Sequence, residues 1–440
     1  MYFGSVWAWL LTAVLGASPA ILMTIEKGAS ALFYVLFAAS LVALALSRRR
    51  PAYTVPGFWR EWHILGIGMA LVMVAILASQ VWHNHFNGTA FEKSLRFASM
   101  LPLLWLFLHI PPERLRQAQW GLVLGALVSA WLLIFPQVVI HTRPNTAAYT
   151  PYNAVSFGNL TFLFAVLCLF AAVGPAQGTR ARAARWLKVF AGLAAVYGFV
   201  LSETRSGWLA IPVFGILALL VFRHVSLRKR VALLAIVLVG GMCVTAIDPS
   251  LHSRIREGVK QWKQCQVEPL QDTSICIRLQ LAGAAGRMFL EHPAFGVGAS
   301  NFRASLAQQH RKGLVSANVA EGYGETHNDL LYYLAVYGVV GVGALLIMYL
   351  VPAWYFARRL GSPDFKIRVA AAMGLSFCLG FAVFGLTEMM FRGMRTVSFY
   401  SMWVAALLAL SWARGEGTAA ELPAGGSPRK PGINPEALPT

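Results

Sequence analysis

Long apolar runs separated by short polar breaks organise this chain. They lie near 6–23, 29–46, 64–81, 97–110, 118–140, 154–173, 187–201, 208–222, 231–247, 330–356, 367–387 and 396–413. A helix rises 1.5 Å per residue, so most of these runs can cross about 30 Å of hydrocarbon. The pattern predicts an all-α polytopic membrane protein with about 12 transmembrane helices. The runs at 97–110, 187–201 and 208–222 are short unless flanking residues such as Phe91 to Arg96 or Ser202 to Gly207 join them. Broken or tilted segments are expected there.

One long polar interruption departs from this pattern. It divides the chain into transmembrane helices 1 to 9 over 1–247, a partly helical loop over 248–328, helices 10 to 12 over 329–414, and a tail over 415–440. Within the loop, Ile277, Leu279, Leu281, Ala282, Ala285, Met288 and Phe289 mark an amphipathic helix that ends before His292-Pro293. Phe295-Gly296-Val297-Gly298 reads as a tight turn, and 301–309 as another short helix. The tail is rich in Gly, Pro, Ala and charge; it cannot bury a core and is expected to be disordered.

Composition agrees with a membrane protein: 57% of residues are hydrophobic, 12% are charged, and the mean hydropathy is +0.59. With the N-terminus inside, the inner segments hold 21 of the 37 Lys and Arg residues, while the short outer loops hold 7. The positive-inside rule favours that orientation, and it puts the long loop outside. The formal charge of +19 therefore needs no nucleic-acid partner; most of it faces an anionic lipid leaflet. The rule does not account for the nine basic residues of the long loop.

Cys168, Cys243 and Cys378 fall in apolar runs and are expected to pack as small hydrophobes. Cys265 and Cys276 lie in the loop, where an oxidising compartment would allow a disulfide. The first run lacks a basic leader, so it reads as a span rather than a cleaved signal.

Three positions stand out chemically. Arg205, in Ser202-Glu203-Thr204-Arg205-Ser206-Gly207-Trp208, sits between two short spans at the outer face. It offers a planar donor fork to an anion such as phosphate, or it simply snorkels to the interface or pairs with Glu203. Arg278 opens the loop helix, where a solvated surface charge is the plainer reading. His327 precedes Leu330-Leu331-Tyr332-Tyr333 and should project from the outer end of a span; histidine accepts a proton near neutral pH. Asn328 and Asp329 would orient the ring or cap the following helix.

No His-x3-His or Cys-x2-Cys pair marks a metal site at the outer face, so no metal is expected. Walker and dinucleotide fingerprints are absent, and no cofactor is expected. Paired glycosidase carboxylates are not evident, with only Glu203, Glu325 and Glu388 near outer span ends.

Three segments taken in order resemble the O-antigen ligase and polymerase-like superfamily of bacterial envelope enzymes. They are Leu201 to Ala210, Arg278 to Gly298, and Thr326-His327-Asn328-Asp329-Leu330-Leu331 leading to Tyr337-Gly338-Val339-Val340-Gly341. The resemblance covers about Gly198 to Gly343; the N-terminal half matches only as a pattern of spans. It implies a glycosyltransferase of the bacterial inner membrane acting at its periplasmic face, with an undecaprenyl-diphosphate-linked glycan as donor. An O-antigen ligase would use lipid A-core as acceptor, a polymerase another lipid-linked repeat unit, and an oligosaccharyltransferase a protein hydroxyl. The compact chain with one large outer loop favours the ligase. The resemblance assigns Arg205 and Arg278 to the substrate diphosphate and His327 to the role of general base. A lipid-linked glycan flippase would have a similar span count, but its charges should lie at mid-membrane rather than at one face.

Overall fold

The computed structural model describes residues 4–49, 57–138, 154–173, 177–202, 204–221 and 249–412, with positions 55, 226 and 228. The apolar run at 231–247 and the tail at 415–440 lie outside the described residues. Among the described residues there are helices and no strands.

The first half runs through α1 (Ser5–Thr24), α2 (Gly28–Arg49), α3 (Phe58–Trp82), α4 (Gly88–Ala98), α5 (Met100–Leu108), α6 (Pro112–Leu115), α7 (Gln119–Val138), α8 (Ala154–Ala172), α9 (Thr179–Leu201) and α10 (Ile211–Val221). The loop region carries α11 (Pro249–Val267), α12 (Ser274–Glu291), α13 (Phe302–Arg311) and α14 (Ala317–Gly322). The chain then returns through α15 (Asp329–Arg359), α16 (Phe365–Gly385) and α17 (Met394–Ser411).

Nine helices among the described residues are long and apolar enough to cross a membrane. The run at 187–201 is part of an unbroken 23-residue helix, α9, so its shortness in the sequence reflects only the basic residues at its start. The other two short runs are broken. Residues 97–110 divide at Ser99 into amphipathic α4 and apolar α5. The run at 208–222 opens with a 3-10 turn, Arg205–Ala210, before the 11-residue α10.

Helices α16 and α17 form the centre, buried along nearly all their length. Lipid-like surroundings give little hydrophobic drive between helices, so packing and internal hydrogen bonds hold such a bundle. Trp403 donates from Nε1 to Ser18 Oγ at 2.9 Å, and Tyr400 donates to the Met348 carbonyl at 2.9 Å. Arg96 is buried at the top of α4, where Ser30, Ser398, Glu92 and the Met394 carbonyl accept from its guanidinium. A buried charge is tolerated when most of its donors are matched in this way, although the Arg96 Nε finds no acceptor among the described residues.

Cys265 and Cys276 form a disulfide that ties α11 to α12. The amphipathic stretch and the short helix expected in the loop correspond to α12 and α13.

Helix α15 is interrupted at Gly338, whose φ of 64° and ψ of −153° suit only glycine. The freed backbone groups are taken up by the turn after α12. Val297 N donates to Ala335 O, Gly298 N to Val336 O, and Val339 N to Pro293 O, each at 2.9 Å. A Cβ on Gly338 would meet Pro293 O at 2.4 Å, and one on Gly296 would meet Val336 C at 2.3 Å. The two glycine motifs, some forty residues apart, are thus the halves of one backbone clip. It docks the loop onto the bundle beside α3, where Ser79 donates to Phe295 O at 3.1 Å and Trp82 stacks on Phe295.

Candidate active site

His327 occupies a turn between α14 and α15 and has a φ of 52°, a left-handed conformation uncommon for a residue with a Cβ. The turn is held from both sides. Thr326 Oγ1 donates to the Asn328 carbonyl at 2.7 Å, and the Asn328 side chain caps α15 by accepting from Leu331 N at 2.9 Å. The Asn328 amide also donates to Leu386 O at 2.8 Å. Capping is therefore the role of Asn328, worth about 1 kcal/mol for a typical cap.

Asp329 acts differently. Its buried carboxylate accepts from Tyr349 OH at 3.0 Å, Met390 N at 3.1 Å and Phe391 N at 3.4 Å. These bonds tie the start of α15 to the segment between α16 and α17. That segment supplies Glu388, whose backbone N donates to Phe384 O at 3.0 Å.

The His327 ring thereby meets two carboxylates. Its Nδ1 lies 3.4 Å from Glu388 Oε2 and 4.0 Å from Glu325 Oε1. Glu388 is 1% exposed and Glu325 is 5% exposed. Arg392 donates to Glu325 Oε1 at 2.5 Å, and Tyr323 presents its ring edge-on to His327 with centroids 5.7 Å apart. Lys93 of α4 adds a further positive charge within electrostatic reach of Glu325 and Asp329. Burial pushes the Glu325 carboxyl above the usual carboxylate range; Arg392, His327 and Lys93 pull against that shift, and Glu388 adds to it.

Sequence reasoning set Glu325 and Glu388 aside as unpaired span-end carboxylates and counted Arg392 and Lys93 only as outer charges. The fold instead brings Glu325, Glu388 and Arg392 together at His327, with Lys93 within electrostatic reach of Glu325. Glu388 is 61 positions from the histidine, and no local periodicity announces such a pair. Glu325, His327 and Glu388 each bring a ligand atom within 4.8 Å of the others, donor types that could hold a divalent cation, although Arg392 already neutralises Glu325.

The two candidate arginines are placed differently. Arg278 is exposed on α12 and has no hydrogen bond or ion pair to another described residue. Its guanidinium is available to a ligand, and it does not touch His327. Arg205 begins the 3-10 turn before α10; its side chain lies outside the described residues. The backbone just before it is fixed, because Thr204 Oγ1 donates to the Ala154 carbonyl at 3.1 Å and Ser202 Oγ to Thr204 Oγ1 at 2.9 Å. Phe214 packs on Phe384 near the end of α16, which places the Arg205 turn at the same end of the bundle as Glu388 and His327.

Residues 190–346 match the O-antigen ligase family, and this stretch holds Arg205, Arg278 and His327 together with the interlocked glycine turns. That stretch is similar to the O-antigen ligase family. The chain is also 23% identical over 286 residues, covering 64% of this chain and 69% of its counterpart, to an uncharacterized protein of Haemophilus influenzae. The chain's apolar helices are those of a multi-pass membrane protein, and the matched family implies a glycosyltransferase-type enzyme of the ligase and polymerase group.

Proposed function

We propose that the chain is an inverting, metal-independent glycosyltransferase that moves O-antigen polysaccharide from undecaprenyl diphosphate to a sugar of lipid A-core oligosaccharide. The reaction takes place at the periplasmic face of a bacterial inner membrane. The observation that carries the reading is His327, held against buried carboxylates at one end of the bundle within the segment that matches O-antigen ligases. The excess of basic residues on the opposite side and the Cys265–Cys276 disulfide support a periplasmic position for that end.

In this mechanism His327 removes the proton of an acceptor sugar hydroxyl, a step typically worth about 10² to 10⁴ in rate. The hydroxyl oxygen forms a bond to the anomeric carbon as that carbon's bond to the diphosphate oxygen breaks. Undecaprenyl diphosphate departs as an anion. Arg205 and Arg278 stabilise the charge growing on it, the task a divalent metal performs in many phosphate-handling enzymes. A single displacement inverts the anomeric configuration.

The test offers purified protein in detergent an undecaprenyl-diphosphate-linked glycan together with both lipid A-core and a second lipid-linked repeat unit. Transfer to lipid A-core with inversion is expected. Elongation of the repeat instead would make the protein a polymerase, and retention would exclude single displacement.

A further inference from the structure

We propose that Glu388 is the positioning residue for His327: its carboxylate accepts the Nδ1 proton, fixing the ring and its tautomer and leaving Nε2 to take the acceptor's proton. This rests on the reading of His327 as the general base.

Two features single out Glu388 from the other carboxylate. It is nearer the ring, with Oε2 at 3.4 Å and Oε1 at 3.5 Å from Nδ1, whereas Glu325 stands at 4.0 Å. The contact is long for a hydrogen bond to a charged group, as catalytic contacts often are before substrate binds.

The backbone also fixes where Glu388 sits relative to His327. Asn328, the next residue after the histidine, donates to Leu386 O two residues before Glu388, and Asp329 accepts from Met390 N two residues after it. Carboxylate and ring are thus held in register by bonds on both flanks. The left-handed backbone at His327 is the conformation this registration imposes, and such strained residues concentrate at functional sites.

A carboxylate as buried as Glu388 is costly unless a proton donor or a cation faces it. The Nδ1–H group is one such donor at rest, beside the Met389 N–H that reaches Oε1 at 3.3 Å. When Nε2 accepts the hydroxyl proton, the imidazolium gains an adjacent negative charge while Glu388 stays ionised and Nδ1 keeps its proton. Charged or titratable groups near the pair among the described residues include Glu325 and Arg392 beside the ring, Lys93 from α4, Asp329 from α15 and Tyr323.

The experiment compares wild-type protein with Glu388→Gln, Glu388→Asp and His327→Ala in the detergent transfer assay, with undecaprenyl-diphosphate-linked glycan and lipid A-core as substrates. Glu388→Gln should lower kcat by about 100-fold, the lower end of a general base's contribution, with the donor KM changed less than about threefold. The acidic limb of its pH–kcat profile should move to lower pH, because the imidazolium loses a counter-charge. Glu388→Asp should recover part of kcat. A wild-type kcat and pH limb in Glu388→Gln, with His327→Ala inactive, would overturn the positioning role and leave the base intact. Full activity in His327→Ala would remove the base and the inference together. A readout on the unaltered protein guards against misfolding of the variants: ¹⁵N NMR of His327, assigned by difference from His327→Ala, should show the neutral ring protonated at Nδ1. Protonation at Nε2 overturns the proposal.

Discussion

Arg392 donates to Glu325 Oε1 at 2.5 Å across 67 positions of sequence, and its own side chain stays largely exposed while the carboxylate it holds is buried. The pair closes one side of the His327 site. Burial makes Glu325 a pH-sensitive part of the fold.

Burial raises the folded-state pKa of Glu325 above its unfolded value, so the folded state holds the proton more tightly. Its contribution to stability is fully present below the ordinary carboxylate pKa and is lost as pH rises through the raised value. The thermal midpoint in detergent should fall across that window in the wild type. In Glu325→Gln this component of the pH dependence should disappear. An unchanged slope would show that Glu325 is not its source.

Gly338→Ala should destabilise the protein by at least about 1–3 kcal/mol, the usual cost of a strained backbone, because the new methyl would also meet Pro293 O and Ala294 O. Gly343→Ala, on the same helix with open space around it, is the control and should be tolerated. Equal thermal midpoints for the two variants would contradict the backbone clip.

Breaking the Cys265–Cys276 bridge by Cys276→Ser should cost about 2–5 kcal/mol and free α11 from α12. In intact inner-membrane preparations, a thiol reagent that cannot cross the membrane should label these two cysteines only after reduction. Labelling without reduction would mean that the bridge does not form in the cell.

Arg278→Ala should leave stability within about 0.5 kcal/mol, since the exposed side chain has no partner among the described residues. Transfer should nevertheless slow by about 10² or more if its guanidinium stabilises the departing diphosphate. Arg278→Lys should recover little, because a point charge lacks the planar fork. A normal rate in Arg278→Ala removes it from the site.

Chelation by EDTA should leave the transfer rate unchanged if Arg205 and Arg278 take the place of a metal at the diphosphate. Loss of activity restored by a divalent cation would instead assign Glu325, His327 and Glu388 to a metal site.

The sequence by itself determined the repeated spans and the polar loop with an amphipathic helix and a second short helix, and it nominated Arg205, Arg278 and His327 as candidates. Those features are local. Apolar length sets a span, an amphipathic period sets a surface helix, and a motif segment carries its residues with it. Tertiary structure alone decided that α4 and α5 part at Ser99, that Gly338 interlocks with residues 293–298, and that Glu388, Glu325 and Arg392 converge on His327. Contacts across such sequence distances are set by how helices pack and where their ends meet. Helical periodicity describes only the residues within one helix, so it cannot register which carboxylate of another segment arrives beside the histidine.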